Sequence, residues 1–119
     1  MYKIYGIKKC NTVQKALAWL DSNQIVYEFY DVKKELSQKL LNDWLHNLPD
    51  NLDFNTFVNK KGITFRGLTK KQKILTENIE GAIKIILEKP SLMKRPLITL
   101  KNKIVALGFE EDRYQKLFS

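Results

Sequence analysis

MYKIYGIKKCNTVQKALAWLDSNQIVYEFY, residues 1–30, is the stretch that decides the fold of this chain. Residues 2–5 are aromatic or β-branched apart from one lysine, which predicts a strand that ends at Gly6. From Thr12 the apolar residues follow the spacing of one helix face, at Val13, Ala16, Leu17 and Leu20. Residues 25–30 predict a second strand. The order strand, helix, strand favours a right-handed crossover, which makes the two strands parallel neighbours.

The middle of the chain predicts helices separated by one basic loop. Ser37 is expected to cap a helix with an apolar stripe from Leu41 to Leu48, and Asp53 is expected to cap a short helix through Val58. The segment NKKGITFRGLTKKQK, residues 59–73, is basic and contains two glycines, which predicts a loop. Thr76 is predicted to cap the next helix, which ends before Pro90 and buries a face of Ile79, Ala82, Ile83 and Ile86.

The last third of the chain predicts a hairpin and a closing helix. Residues 97–100 and 103–107 are apolar runs separated by two residues, which is the length of a hairpin turn. Tyr114, Leu117 and Phe118 indicate an amphipathic helix, and the acidic residues 110–112 fit its first turn. Together the elements predict an α/β protein of the thioredoxin type, in which a mixed sheet is built from a βαβ half and a ββα half.

Length and composition indicate a single compact domain over residues 1–119, with 44% hydrophobic and 29% charged residues. No apolar run approaches the ~18 residues that cross a bilayer, and the chain begins with strand-like sequence and no signal-peptide pattern. One cysteine excludes an internal disulfide. We therefore expect a cytoplasmic protein without a membrane partner. Nothing in the sequence requires more than a monomer.

The net charge of +8 comes mostly from lysines, which occur in scattered pairs such as Lys8-Lys9 and Lys33-Lys34. A solvated lysine-rich surface is the favoured interpretation of this charge. A pocket for an anionic small molecule is the second interpretation. Nucleic acid is the least favoured partner, because no aromatic residues alternate with the lysines to stack on bases. His46 has no cluster of ligand residues near it in sequence, so no metal site is expected.

Cys10 lies after a strand and a glycine, at the start of a helix. Backbone N–H groups and the helix dipole favour a negative charge at such a place, and so do the neighbouring Lys8 and Lys9. The competing interpretation is an inert, small apolar residue. Position 13 is valine, so there is no Cys-x-x-Cys pair. If Cys10 reacts, the second thiol must come from outside, from glutathione or a glutaredoxin.

Three separated segments resemble the ArsC/Spx family, which groups arsenate reductases, Spx-type transcription regulators and a branch with a single thiol. They are YGIKKCNTVQKALAWL (residues 5–20), EKPSLMKRPLI (residues 88–98) and VALGFEEDRY (residues 105–114). The resemblance covers essentially the whole chain and is strongest to the single-thiol branch. It implies a thioredoxin fold with a helical insertion between the βαβ and ββα halves.

The resemblance also implies roles for particular residues. Cys10 corresponds to the nucleophile and Arg95 to an anion-binding arginine, while Pro96 corresponds to a cis-proline that faces the cysteine loop. Contacts to the substrate are expected from Lys9, Asn11, Thr12, Lys60, Arg66 and Pro96. Two further arginines of arsenate reductases are absent, since Asn59 and Gly108 occupy the matching positions. The resemblance therefore does not predict arsenate reduction itself.

Two functions follow from the resemblance. The first is a glutathione-dependent thiol reductase that takes a small oxyanion or a disulfide as substrate, with glutathione as co-substrate and no tightly bound cofactor. The second is an Spx-like regulator that binds RNA polymerase without turnover. Val13 removes the Cys-x-x-Cys redox switch of Spx regulators but leaves binding possible.

Overall fold

The computed structural model of the protein describes residues 1–119 and divides them into two compact units. The first unit combines Met1–Lys34 with Arg95–Ser119, and the second is Glu35–Lys94. The elements in chain order are β1 (Tyr2–Gly6), α1 (Asn11–Ser22), β2 (Tyr27–Asp31), α2 (Val32–Glu35), α3 (Gln38–Leu45), α4 (Phe54–Phe57), α5 (Ile63–Arg66), α6 (Lys70–Leu75), α7 (Ile79–Glu88), a 3₁₀ turn (Pro90–Leu92), β3 (Leu97–Leu100), β4 (Lys103–Leu107) and α8 (Glu111–Leu117).

The first unit contains a four-stranded mixed sheet in the order β2-β1-β3-β4. β1 and β2 are parallel, as predicted, and the other two pairs are antiparallel. β2 begins at Tyr27 rather than at Ile25. The reason is the turn after α1, where Gln24 has a φ of 56° and the N–H of Ile25 donates to the carbonyl of Leu20.

The core of the first unit lies where α1 and α8 cover the sheet. Its buried residues are Ile4, Ala16, Leu20, Ile98, Ala106 and Tyr114. The rings of Trp19, Phe109 and Phe118 surround the Tyr114 ring, with centroids 4.8 to 5.5 Å away. The closing helix is therefore confirmed, although Leu117 is 39% exposed and contributes little to the core.

The predicted hairpin between β3 and β4 is confirmed. Lys101 and Asn102 both have positive φ, at 52° and 67°, as a type I′ two-residue turn requires. Gly108 ends β4 at a φ of 83°, a conformation that favours glycine. Its N–H donates to the carbonyl of Pro96 at 2.8 Å, which ties the end of β4 to the start of β3.

The second unit is helical, and its fully buried residues include Leu41, Phe57, Ile86, Leu92 and Met93. The predicted caps at Ser37 and Asp53 are confirmed, because their side chains accept hydrogen bonds from backbone N–H groups of α3 and α4. An isolated antiparallel bridge joins Val58 to Met93. No helix of the protein combines the length and apolar character needed to span a membrane.

Two predictions for the second unit are wrong. Residues 59–73 are not a loop, because α5 lies within them and α6 begins at Lys70. Thr69 and Gln72 form a reciprocal capping box that starts α6. Thr76 does not cap α7, since it ends α6 instead and its hydroxyl donates to the carbonyl of Lys73. The cap of α7 is Asn78, whose side chain accepts from the N–H of Gly81 at 2.8 Å.

Candidate functional site

The loop between β1 and α1 holds Cys10 at the position just before the first helical residue. The N–H of Cys10 donates to the carbonyl of Ile7 at 3.0 Å, and its own carbonyl accepts from the N–H of Gln14 at 2.9 Å. The side-chain amide of Gln14 donates to the carbonyl of Lys8 at 3.0 Å. These bonds fix a tight turn, which places a partly buried thiol at the N-terminus of a twelve-residue helix.

The surroundings of Cys10 favour the thiolate. Burial raises the pKa of the thiol, but several interactions oppose this effect. In decreasing order they are hydrogen bonding from the Val13 N–H, the hydrogen bond and charge of Arg95, and hydrogen bonding from the Thr12 N–H. The balance sets the pKa of Cys10 below its usual value. The site can therefore hold a nucleophilic sulfur anion.

Arg95 comes from a distant part of the sequence, directly before β3. Its Nη2 donates to the Sγ of Cys10 at 4.0 Å, across a separation of 85 residues. The next peptide bond, Arg95–Pro96, is cis, in agreement with the resemblance. Pro96 is buried, and its carbonyl accepts the bond from Gly108 described above. The structure thus brings Cys10 and Arg95 together and places Pro96 next to Arg95.

The other predicted site residues have different surroundings. Lys9, Asn11 and Thr12 are exposed beside Cys10, in the loop and the first turn of α1. Lys60 and Arg66 are exposed in the second unit, before and at the end of α5.

Neither Asn59 nor Gly108 supplies a cation at the positions that match family arginines. The backbone N–H of Asn59 donates to the carbonyl of Leu92. Gly108 is buried at positive φ, where an arginine would be strained.

A cleft of about 450 Å³ opens beside the cysteine loop, at a place that the sequence analysis does not specify. Lys8 and Lys9 from the loop line it together with Lys33 and Lys34, which follow β2. The strand pairing brings the two lysine pairs together, because Gly6 and Asp31 are partners at the same end of the two parallel strands. Ligand sites in such sheets commonly lie beyond the carboxyl ends of the strands.

The mixed sheet, the cysteine that precedes α1 and the cis-proline before β3 define a thioredoxin-like fold with a single thiol. The sequence model of the ArsC family matches residues 5–117. The chain therefore belongs to the ArsC family.

Similar proteins match all or nearly all of the chain. A protein of Haemophilus influenzae without an assigned function is 33% identical over 119 residues and matches all of both chains. The global transcriptional regulator Spx 2 of Lactococcus lactis is 28% identical over 118 residues, which cover 94% of this chain and 82% of the regulator. A possible arsenate reductase from Streptococcus mutans has a solved structure with a TM-score of 0.81 and 31% identity, covering 100% of this chain and 98% of that one.

Proposed function

We propose that the protein is a thiol reductase of the arsenate reductase-like type, with the Cys10 thiolate as its nucleophile. The observation that carries the proposal is the Arg95 guanidinium 4.0 Å from the Cys10 sulfur at the start of α1. A guanidinium beside a thiol stabilises the thiolate, and it also suits the negative charge of an oxyanion or of a carboxylate-bearing disulfide. Membership of the ArsC family supports the same chemistry.

The proposed reaction has two steps. The Cys10 thiolate attacks one sulfur of a substrate disulfide, a new S–S bond forms, and the other sulfur leaves as a thiolate. The chain has no second cysteine, so the mixed disulfide must be resolved from outside. A glutathione thiolate attacks the substrate sulfur, which restores the Cys10 thiolate and leaves glutathione joined to the substrate; a glutaredoxin thiol is the other candidate. Glutathione is abundant in the cytoplasm, and a cytoplasmic location belongs to this proposal.

The remaining predicted contacts belong to substrate binding in this proposal. Lys9, Asn11 and Thr12 border the thiol, and Pro96 is expected to face the substrate. Lys60 and Arg66 lie in the second unit, and their role in substrate binding stays a prediction from the family resemblance. Because Asn59 and Gly108 lack the charge of the matching family arginines, we do not propose arsenate as the physiological substrate.

The test is the rate of Cys10 alkylation by iodoacetamide as a function of pH. We expect the midpoint of the rate profile to lie below that of the unfolded chain, because the Val13 N–H and Arg95 favour the thiolate. The same chain unfolded in urea is the control and should show the ordinary midpoint. A native midpoint equal to that of the unfolded chain, or a thiol that reacts only after unfolding, would contradict the proposal.

The dependence on glutathione is tested separately with a small disulfide substrate. Without glutathione, the protein should release at most one substrate thiol per Cys10 and then stop. With glutathione and a system that reduces its disulfide, turnover should continue. Continued turnover without any added thiol would contradict the role proposed for glutathione.

A second candidate function is an Spx-like regulator that binds RNA polymerase. Its support is the 28% identity to the global transcriptional regulator Spx 2 over 94% of the chain. Val13 removes the Cys-x-x-Cys pair, so this candidate requires binding without a dithiol switch. Capture of RNA polymerase subunits by the purified protein would favour it.

A further inference from the structure

The cleft beside the cysteine loop carries an unbalanced charge. Four lysines line it, namely Lys8, Lys9, Lys33 and Lys34, and Asp31 is the one acidic residue of its lining. At neutral pH the lining therefore has three net positive charges around a space of about 450 Å³. A single carboxylate would leave most of this charge uncompensated, whereas a group with two or more negative charges would match it.

Strand pairing, one hydrogen bond and one aromatic contact position the lysines around the cleft. Lys8 and Lys9 follow β1, and Lys33 and Lys34 follow the parallel strand β2, so the two pairs leave the sheet at the same end. A carboxylate oxygen of Asp31 accepts a hydrogen bond from the N–H of Lys33 at 2.9 Å, which fixes the start of α2. The Nζ of Lys8 lies 5.6 Å from the centre of the Phe29 ring, another side chain of the cleft lining.

The shape and charge indicate the chemistry of a ligand. A volume of about 450 Å³ lies within the range of small-molecule sites. Lysine ammonium groups act as point charges that suit phosphate oxygens without a fixed geometry. Ile7 and Phe29 add an apolar part to the lining, which can contact the uncharged portion of a phosphorylated compound.

We propose that this cleft binds a phosphate-type polyanionic group of the substrate, so that the preferred substrates are disulfides of phosphorylated thiols. The inference rests on the proposed function and extends it, because Lys9 is the direct neighbour of Cys10 and the cleft lies next to the loop that holds the thiol. The Cys10 thiolate attacks the near sulfur of such a disulfide, the Cys10–substrate S–S bond forms, and the second phosphorylated thiol leaves as a thiolate.

The binding part is tested by measuring the binding of pyrophosphate, with calorimetry for the affinity and backbone NMR shifts for the location. We expect shifts confined to residues 7–9 and 29–34 and binding that weakens as salt is added. Each exposed lysine–anion pair is worth a few-fold in affinity, so Lys33→Gln/Lys34→Gln should bind about five- to tenfold more weakly. Lys103→Gln/Lys116→Gln is the control, since it removes the same charge from exposed positions of the first unit outside the cleft. Equal loss in both variants, or no binding by the native protein, would overturn the proposal.

The substrate part is tested by the rate at which Cys10 reacts with two disulfides. Coenzyme A disulfide carries phosphates, and bis(2-hydroxyethyl) disulfide is uncharged. In the native protein and in Lys103→Gln/Lys116→Gln the ratio of the two rate constants should favour coenzyme A disulfide, and in Lys33→Gln/Lys34→Gln this ratio should fall about fivefold. A ratio that does not change would overturn the assignment to substrate binding. A Cys10 that is inert to both disulfides would contradict the proposed function, while lysine-dependent pyrophosphate binding would still support the anion site.

Discussion

At the scale of single residues, Arg95 is the side chain whose hydrogen bond and charge favour the Cys10 thiolate. Because its guanidinium lowers the pKa of Cys10, Arg95→Ala should raise that pKa and slow alkylation at pH 7. Arg95→Lys keeps a charge but loses the planar fork, so its midpoint should lie between those of the native protein and Arg95→Ala. The measurement is the alkylation midpoint of each variant. Arg113→Ala serves as the control because Arg113 does not contribute to the pKa shift of Cys10, and an unchanged midpoint in Arg95→Ala would contradict the assignment.

Tyr114 is the side chain that α8 contributes to the core of the first unit. It is fully buried, and its hydroxyl donates to the carbonyl of Gly108 at 2.8 Å. Tyr114→Phe keeps the ring but leaves this buried carbonyl without its donor, so it should lower the free energy of unfolding by about 1–3 kcal/mol at pH 7. Urea unfolding measures the loss. A cost near zero would mean that another donor replaces the hydroxyl.

The same residue gives a prediction for alkaline pH. Burial raises the pKa of Tyr114 far above its ordinary value, so the native state retains a proton that the unfolded state loses above pH ~10. The stabilisation from Tyr114 is therefore complete below pH ~10 and decreases as the pH rises beyond it. Tyr114→Phe has no such titration, so the difference in unfolding free energy between the two proteins should become smaller above pH ~10. A difference that stays constant from pH 7 to 11 would contradict this account.

At the scale of elements, the start of α7 requires a glycine for reasons of space. A Cβ at Gly81 would overlap the carbonyl oxygen of Leu75, which is backbone and cannot move aside. Gly81→Ala should therefore destabilise the protein by about 3 kcal/mol, although alanine is the better helix former. Gly67→Ala is the matched control, because the nearest atoms to its Cβ lie at 3.5 Å, an ordinary contact. Thermal unfolding of both variants measures the contrast, and equal stabilities would refute it.

The elements also show what could be predicted from sequence and what could not. The hairpin and the cap at Ser37 depend on residues next to each other, so the local pattern was sufficient. α6 has only six residues, too few to show a helical period, and its Thr69–Gln72 capping box lies in a basic segment whose two glycines favour a loop. Thr76 and Asn78 are both good caps two residues apart, and the structure uses the second for α7.

In the candidate site too, features set by neighbouring residues could be predicted from the sequence pattern, and contacts between distant residues could not. The position of Cys10 followed from a strand, a glycine and a helix that are adjacent in sequence. Arg95 lies 85 residues away, so only the family resemblance connected it with Cys10. The parallel pairing of β1 and β2 brings Lys8 and Lys33 to one end of the sheet, but whether their side chains surround a cleft depends on the three-dimensional packing. A pattern of paired lysines does not give that packing.

At the scale of the whole molecule, the two candidate functions place different demands on Cys10. Cys10→Ser replaces one atom at a partly buried position, so the melting temperature should change by no more than a few degrees. Because the chain has one cysteine, this variant loses every reaction with alkylating agents and disulfides, and a reductase therefore loses its activity. A regulator that binds RNA polymerase without turnover retains its binding. Cys10→Ser therefore separates the two functions in a protein that is still folded.

The decisive comparison is capture of RNA polymerase by the native protein and by Cys10→Ser. The net charge of +8 attracts acidic proteins without specificity. The capture is therefore performed at about 0.3 M salt, where the screening length is well below 10 Å. An unrelated protein of similar size and charge is the control. Equal capture by both forms, above this control, would support the regulator. If the native protein reacts with disulfides and neither form exceeds the control, the protein acts through the thiol, as proposed from Cys10 and Arg95.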